Sequence, residues 1–133
     1  MTEIRVTPMR EEQIQAVVDL ALAQAARQRA LDPRLGMTHT RRDLEAALSE
    51  RQSSGQPLVA IDAAGRVRGY ARPGVWELAE TSSLHAFLSA RNGVARHLAL
   101  PDPKEADART VAAALLAALS ASWRGSGTTG DLV

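Results

Sequence analysis

Near the end of the chain stands Arg124-Gly125-Ser126-Gly127-Thr128-Thr129-Gly130, whose last six residues spell G-x-G-x-x-G. In a phosphate-gripping loop a strand precedes such glycines and a helix follows them, so that the helix's first free N–H groups meet the anion. Here the order is reversed. Thr110 to Trp123, "TVAAALLAALSASW", has no β-branched residue after Val111 and reads as helix, with only Asp131, Leu132 and Val133 beyond the glycines. The cluster is expected to end a helix rather than to hold a phosphate. Other reactive groups are few. Cysteine is absent, which removes disulfides, thiolate catalysis and cysteine-ligated zinc together. His39, His85 and His97 have no metal-ligand spacing, so no metal site is expected. The stretch "TSSLH" lacks the glycine-flanked elbow that exposes a nucleophilic serine.

Such residues need elements to position them. With 133 residues and 45% hydrophobic content, the chain suits one domain with a real core. No run approaches the ~20 apolar residues of a membrane span, and the N-terminus lacks the apolar centre of a secretory signal. No membrane contact and a cytoplasmic location are therefore expected. A net charge of +1 and 3% aromatic content give neither an electrostatic footprint nor a stacking platform for nucleic acid.

"EIRVT", residues 3 to 7, alternates as a half-buried strand does (β1), and Thr7-Pro8 offers an N-cap and a first helical proline. Ile14, Val17, Val18, Ala21, Leu22 and Ala25 then recur at helical spacing (α1) until "LDPRLG" breaks the pattern. Thr40 and Asp43 form a capping box before the short stripe Leu44, Ala47 and Leu48 (α2). "PLVAIDAAGRVRGYARP" predicts a β-hairpin (β2 and β3) turning at Asp62 to Gly65, with Gly65 as the left-handed residue and Pro73-Gly74 kinking or ending the second strand. Thr81 to Gly93 is polar and carries no clear pattern. "GVARHLALP" reads as a buried strand (β4), and after "PDPKEADA" comes the Ala/Leu helix (α3). The fold class expected is α/β, in the α+β sense: a mixed, mainly antiparallel sheet with α1 and α2 on one face and α3 on the other.

This order, carried by "IRVTPMREEQIQAVVDLA", "LVAIDAAGRVRGYA" and "LALPDPKEADARTVAAALLAAL", resembles the GCN5-related N-acetyltransferase (GNAT) fold. The resemblance implies acyl transfer from acetyl-CoA to an amine and assigns residues 1 to 124 to the N-terminal portion of such a domain, β1 to α3. Residues 125 to 133 are then a turn and the start of a following strand. The sequence is similar to a longer or tandem, partly degenerate member truncated after α3, with the rest of the protein or a second acetyltransferase-like domain as partner. Self-association through an uncovered sheet edge is expected as well. The alternative is a non-catalytic binding or dimerisation module.

By the same resemblance, acetyl-CoA would meet Leu98 and Leu100 on β4 and Ala108, Arg109 and Thr110 at the start of α3. Family members place glycines in the β4-to-α3 loop so that backbone N–H groups reach the pyrophosphate. Here that loop is Lys104-Glu105-Ala106-Asp107-Ala108-Arg109, with no glycine and two carboxylates in the anion's path. At ~4–6 Å and an effective dielectric near 20, each carboxylate would cost on the order of a few kcal/mol. Degenerate cofactor contacts and a chain inactive by itself are the expectation. For the base that deprotonates the amine the candidates are Glu77 and His97, each with a plainer alternative as a solvated carboxylate and a packed or surface imidazole. Tyr70 reads as structural, and Trp76 and Trp123 as core or interface anchors.

Overall fold

A computed structural model describes residues 3–35, 40–49, 56–77, 91–125 and 130–132. Five strands form one sheet in chain order: β1 (Ile4–Pro8), β2 (Leu58–Asp62), β3 (Val67–Glu77), β4 (Arg91–Ala99) and β5 (Gly130–Leu132). The first four pair antiparallel, and β5 pairs parallel with β4. The mixed, mainly antiparallel sheet read from the sequence is the one observed.

Three helices cover it: α1 (Ile14–Leu31), α2 (Arg41–Ser49) and α3 (Ala108–Gly125). On one face Val111, Leu115, Leu119 and Trp123, one every fourth residue of α3, pack with Ala60 and Ala71. On the other, Val17 of α1 packs with Val59, Ile61, Tyr70 and Ala99, with Leu20, Ala21 and Leu48 alongside. The interior strand β2 is buried on both faces, hence its unbroken run Val59 to Ile61.

Sequence signals and local structure coincide at the capping box, where the Thr40 N–H donates to Asp43 Oδ2 at 3.1 Å and the Asp43 N–H to Thr40 Oγ1 at 3.2 Å. They part at Thr7-Pro8. Both residues belong to β1, paired with Val59 and Leu58, and a 3-10 turn at Glu11–Gln13 leads into α1 instead, where the Arg10 N–H donates to Gln13 Oε1 at 2.8 Å. Proline is tolerated there because β1 is an edge strand and needs no donor on its outer side. Pro73-Gly74 does not end β3 either. The register steps from Arg72–His97 to Pro73–Ala95, one residue on β3 against two on β4, so Arg96 is the extra residue of a bulge. Gly125 is the last residue of α3 and Gly130 the first of β5, and residues 126–129 lie outside the described residues, as do His39 and His85.

The hairpin turn is built by one carboxylate. Asp62, 6% exposed, accepts the Ala64 and Arg66 N–H groups on Oδ1 at 3.0 and 2.9 Å and Arg66 Nε on Oδ2 at 2.9 Å. The backbone donation from Arg66 holds its carboxyl below the usual range, against the opposing pull of burial. Gly65 closes the turn with φ +81°, and no atom lies within 4 Å of where its Cβ would be. Gly65→Val is therefore expected to destabilise by about 1–2 kcal/mol through backbone strain alone, read by urea unfolding. An unchanged midpoint would mean that this turn is not held left-handed.

Candidate functional site

A strand directs the backbone groups of alternate residues to alternate edges. Beyond β4, β5 pairs along Asn92, Gly93 and Val94. Farther along, Leu98 and Leu100 present their groups to α1. Gln24 takes both at once: its Nε2 donates to the Leu98 carbonyl oxygen at 3.0 Å, and the Leu100 N–H donates to its Oε1 at 2.8 Å. One side-chain amide stands here where a neighbouring strand's peptide group would. Three residues along the same helix face, Arg27 Nη2 donates to the Leu100 carbonyl oxygen at 2.9 Å. The expected uncovered edge at Leu98 and Leu100 is thus covered from within the chain.

The loop after β4 folds on itself before α3 begins. The Glu105 N–H donates to the Asp102 carbonyl at 2.9 Å and the Lys104 N–H to Asp102 Oδ1 at 3.0 Å, and the Val111 N–H closes the first helical turn on the Asp107 carbonyl at 2.9 Å. Its two carboxylates do not stand open to an anion. Arg68 clamps Asp107 bidentately, Nε to Oδ2 at 2.7 Å and Nη2 to Oδ1 at 2.9 Å, and also pairs with Glu105. These hydrogen bonds hold the Asp107 carboxyl below the usual carboxylate range, and the two acids raise the Arg68 guanidinium in turn.

Sequence reasoning missed Arg68 because its position depends on a bulge. The β2–β3 register steps from Ala60–Gly69 to Ile61–Val67, leaving Arg68 as the extra residue. A bulged residue is re-aimed relative to the strand's alternation, and here it reaches the start of α3. The one legible signal was Gly69 beside it, a strand glycine that marks a close approach. An ideal Cβ on Gly69 would lie 2.7 Å from Val111 Cγ1.

Between α1, α2 and the β3–β4 sheet lies a cleft of about 620 Å³, lined among others by Val17, Ala21, Leu44, Leu48, Tyr70 and His97. Tyr70 is 2% exposed, and burial pushes its phenol up against the opposing charge of Arg72, so that the hydroxyl keeps its proton at neutral pH. His97 is exposed at the rim. The structure thus brings His97 next to Leu98 and near Leu100, whereas Glu77 pairs with Arg91, six residues back along β4 and about 20 Å away at ~3.3 Å per residue. The two candidate bases do not meet. Ala108 is half-buried, and Arg109 and Thr110 are exposed on the first turn of α3. Among the described residues no group of three or more His, Asp or Glu could hold a metal ion, and no helix is long and apolar enough to cross a membrane.

No family model and no curated relative matches the sequence. Solved structures do. A mutant protein from Bacillus halodurans superposes with a TM-score of 0.71 at 10% identity over 96% of this chain and 80% of that one. A predicted acetyltransferase from Clostridium acetobutylicum with acetyl-CoA gives 0.64 at 11% identity, covering 99% and 79%. A GNAT family acetyltransferase from Staphylococcus aureus gives 0.60 at 12% identity, covering 98% and 84%. The chain has the GNAT acetyltransferase fold. At these identities the likeness carries the fold alone. Leu98 lies on β4 and Leu100 directly after its end, and Arg109 and Thr110 stand in the first turn of α3.

Proposed function

We propose that this chain is a structural GNAT-fold domain of a protein in which acetyl-CoA acylates an amine, with the chemistry carried by the rest of that protein or by a second acetyltransferase-like domain. What carries the reading is that the backbone positions such a fold offers to acetyl-CoA are already committed. Gln24 and Arg27 hold the β4 edge at Leu98 and Leu100, and Arg68 draws Glu105 and Asp107 across the start of α3. The loop between them has no glycine to let a pyrophosphate reach backbone donors. Arg68 is itself engaged by the two carboxylates and is not offered to an approaching anion. These residues do not fit the cofactor.

Titration calorimetry of the purified chain with acetyl-CoA tests this. A Kd no better than about 1 mM is expected, a binding free energy near 4 kcal/mol. Micromolar binding that disappears in Arg109→Ala would overturn the proposal and make Arg109 the pyrophosphate contact of a working site. A second reading, a non-catalytic binding or dimerisation module, draws support from the mostly aliphatic cleft under α2.

A further inference from the structure

In a parallel strand pair, each residue donates its N–H to the carbonyl before its opposite number and accepts from the N–H after it. Gln24 makes that same pair of bonds around Ala99, giving its Nε2 to the Leu98 oxygen at 3.0 Å and taking the Leu100 N–H on its Oε1 at 2.8 Å. A side chain thus fills the place of one residue of a parallel strand. β5 pairs parallel with the same edge at Asn92, Gly93 and Val94, so the edge accepts a strand in this direction. Pro101, which has no N–H, ends the pairing just past Leu100.

The cover is exchangeable. The Gln24 bond to Leu98 is exposed, Leu98 itself is 40% exposed, and trading one pair of amide hydrogen bonds for another changes little by itself. Affinity must then come from what the newcomer's side chains meet. Residues directly opposite in a sheet project to the same face, and Ala99 projects toward α1, where it packs with Val17 and Tyr70. A residue that takes over the Gln24 bonds therefore aims its side chain into the aliphatic cleft beside Ala99. The residue two further on returns to that face past Leu100, where Arg27 stands on the Leu100 carbonyl. From Leu20 to Leu31, α1 carries Arg27 and Arg29 and no acid, which favours an acidic side chain there.

We infer that the edge at Leu98 to Leu100 takes an extended peptide of a partner protein, parallel to β4 and in exchange for the Gln24 amide, with an apolar side chain in the cleft and an acidic one two residues later beside Arg27. The inference goes beyond the acetyl-CoA reading, because the peptide needs nothing from the α3 loop, whose clamped carboxylates stand against the cofactor.

Two-dimensional NMR titration of the full chain tests it with the capped peptide acetyl-Ala-Ala-Leu-Ala-Glu-amide and two analogues, one methylated on the leucine nitrogen and one with lysine in place of glutamate. The parent peptide should saturate, shift the backbone amides of Ala99 and Leu100, and move the Gln24 side-chain amide signals toward those of a solvated glutamine. The methylated analogue cannot donate to the Leu98 carbonyl and should bind about fivefold more weakly, the worth of one net hydrogen bond. The lysine analogue should also be weaker. Gln24→Ala removes the internal competitor and should bind the parent peptide about fivefold more tightly, while the comparison of peptides on the unaltered chain needs no variant to fold. No saturation by the parent peptide, equal affinity of the methylated analogue, unmoved Gln24 side-chain signals, or weaker binding by Gln24→Ala would each overturn the inference. Shifts at Ala99 and Leu100 that grow with protein concentration alone would overturn it too, since the edge would then take a second copy of this chain.

Discussion

Arg68→Ala should destabilise the chain by about 2–3 kcal/mol at neutral pH, far more than the loss of a surface ion pair. Removing one partner of a fully buried pair costs ~3–5 kcal/mol because the other charge is left uncompensated. The side chains here are 21% exposed for Arg68 and 12% for Asp107, which brings the figure below that range. Glu105, at 47%, keeps enough water to add little. The pH dependence gives an independent sign. Arg68 depresses the Asp107 carboxyl, so the pair's contribution is complete above the ordinary carboxylate range and is lost as pH falls through the depressed value. Urea unfolding at pH 7 and pH 3 should therefore show the parent losing the advantage it holds over Arg68→Ala at neutral pH. Arg68→Lys keeps the charge without the planar fork and should fall between the two. An Arg68→Ala chain within about 0.5 kcal/mol of the parent at pH 7 would mean that the clamp is a surface contact only.

What the sequence made legible follows from how local each signal is. The hairpin, the α2 capping box and the α3 stripe are written within a few residues of themselves, and all three stand where the sequence placed them. The start of α1 was misplaced because Thr7-Pro8 is equally good chemistry for a helix N-terminus and an edge strand, and only the pairing with Val59 and Leu58 decides between them. Glu105 and Asp107 were legible as acids in the cofactor loop, but their partner was not. Arg68 lies almost forty residues earlier, and a one-residue bulge is needed to aim it there. Gln24 was invisible for the same reason. Its role as a substitute peptide group on β4 depends on the docking of α1 over the sheet, which no spacing within α1 encodes. The cleft, likewise, comes from two helices and two strands meeting, which no local pattern encodes.

The residue beside Arg68 carries the other large effect. Gly69→Val is expected to cost about 3 kcal/mol, at the upper end of overpacking penalties. Its first added carbon would lie 2.7 Å from Val111 Cγ1 and 2.9 Å from Leu115 Cδ1, and two γ-methyls would follow. Leu115 can turn its end aside. Val111 cannot, because a β-branched side chain on a helix has one strongly preferred rotamer, so α3 itself must retreat from the sheet. Gly65 provides the contrast, since its Cβ would stand in open space and the cost there is backbone strain. The two mechanisms separate in a double-mutant cycle. Val111→Ala alone should cost about 2 kcal/mol by leaving a cavity, yet combined with Gly69→Ala it should cost less than the two single changes together, because the new methyl enters the space the valine vacated. No such rescue is expected for Gly65→Ala with Val111→Ala. Coupling at Gly69 and additivity at Gly65, both from urea midpoints, would establish that β3 gives up a side chain so that α3 can lie against it. Strict additivity at Gly69 would mean instead that α3 is free to shift. The start of α3, and with it the reach between Arg68 and Asp107, would then not be fixed by this contact.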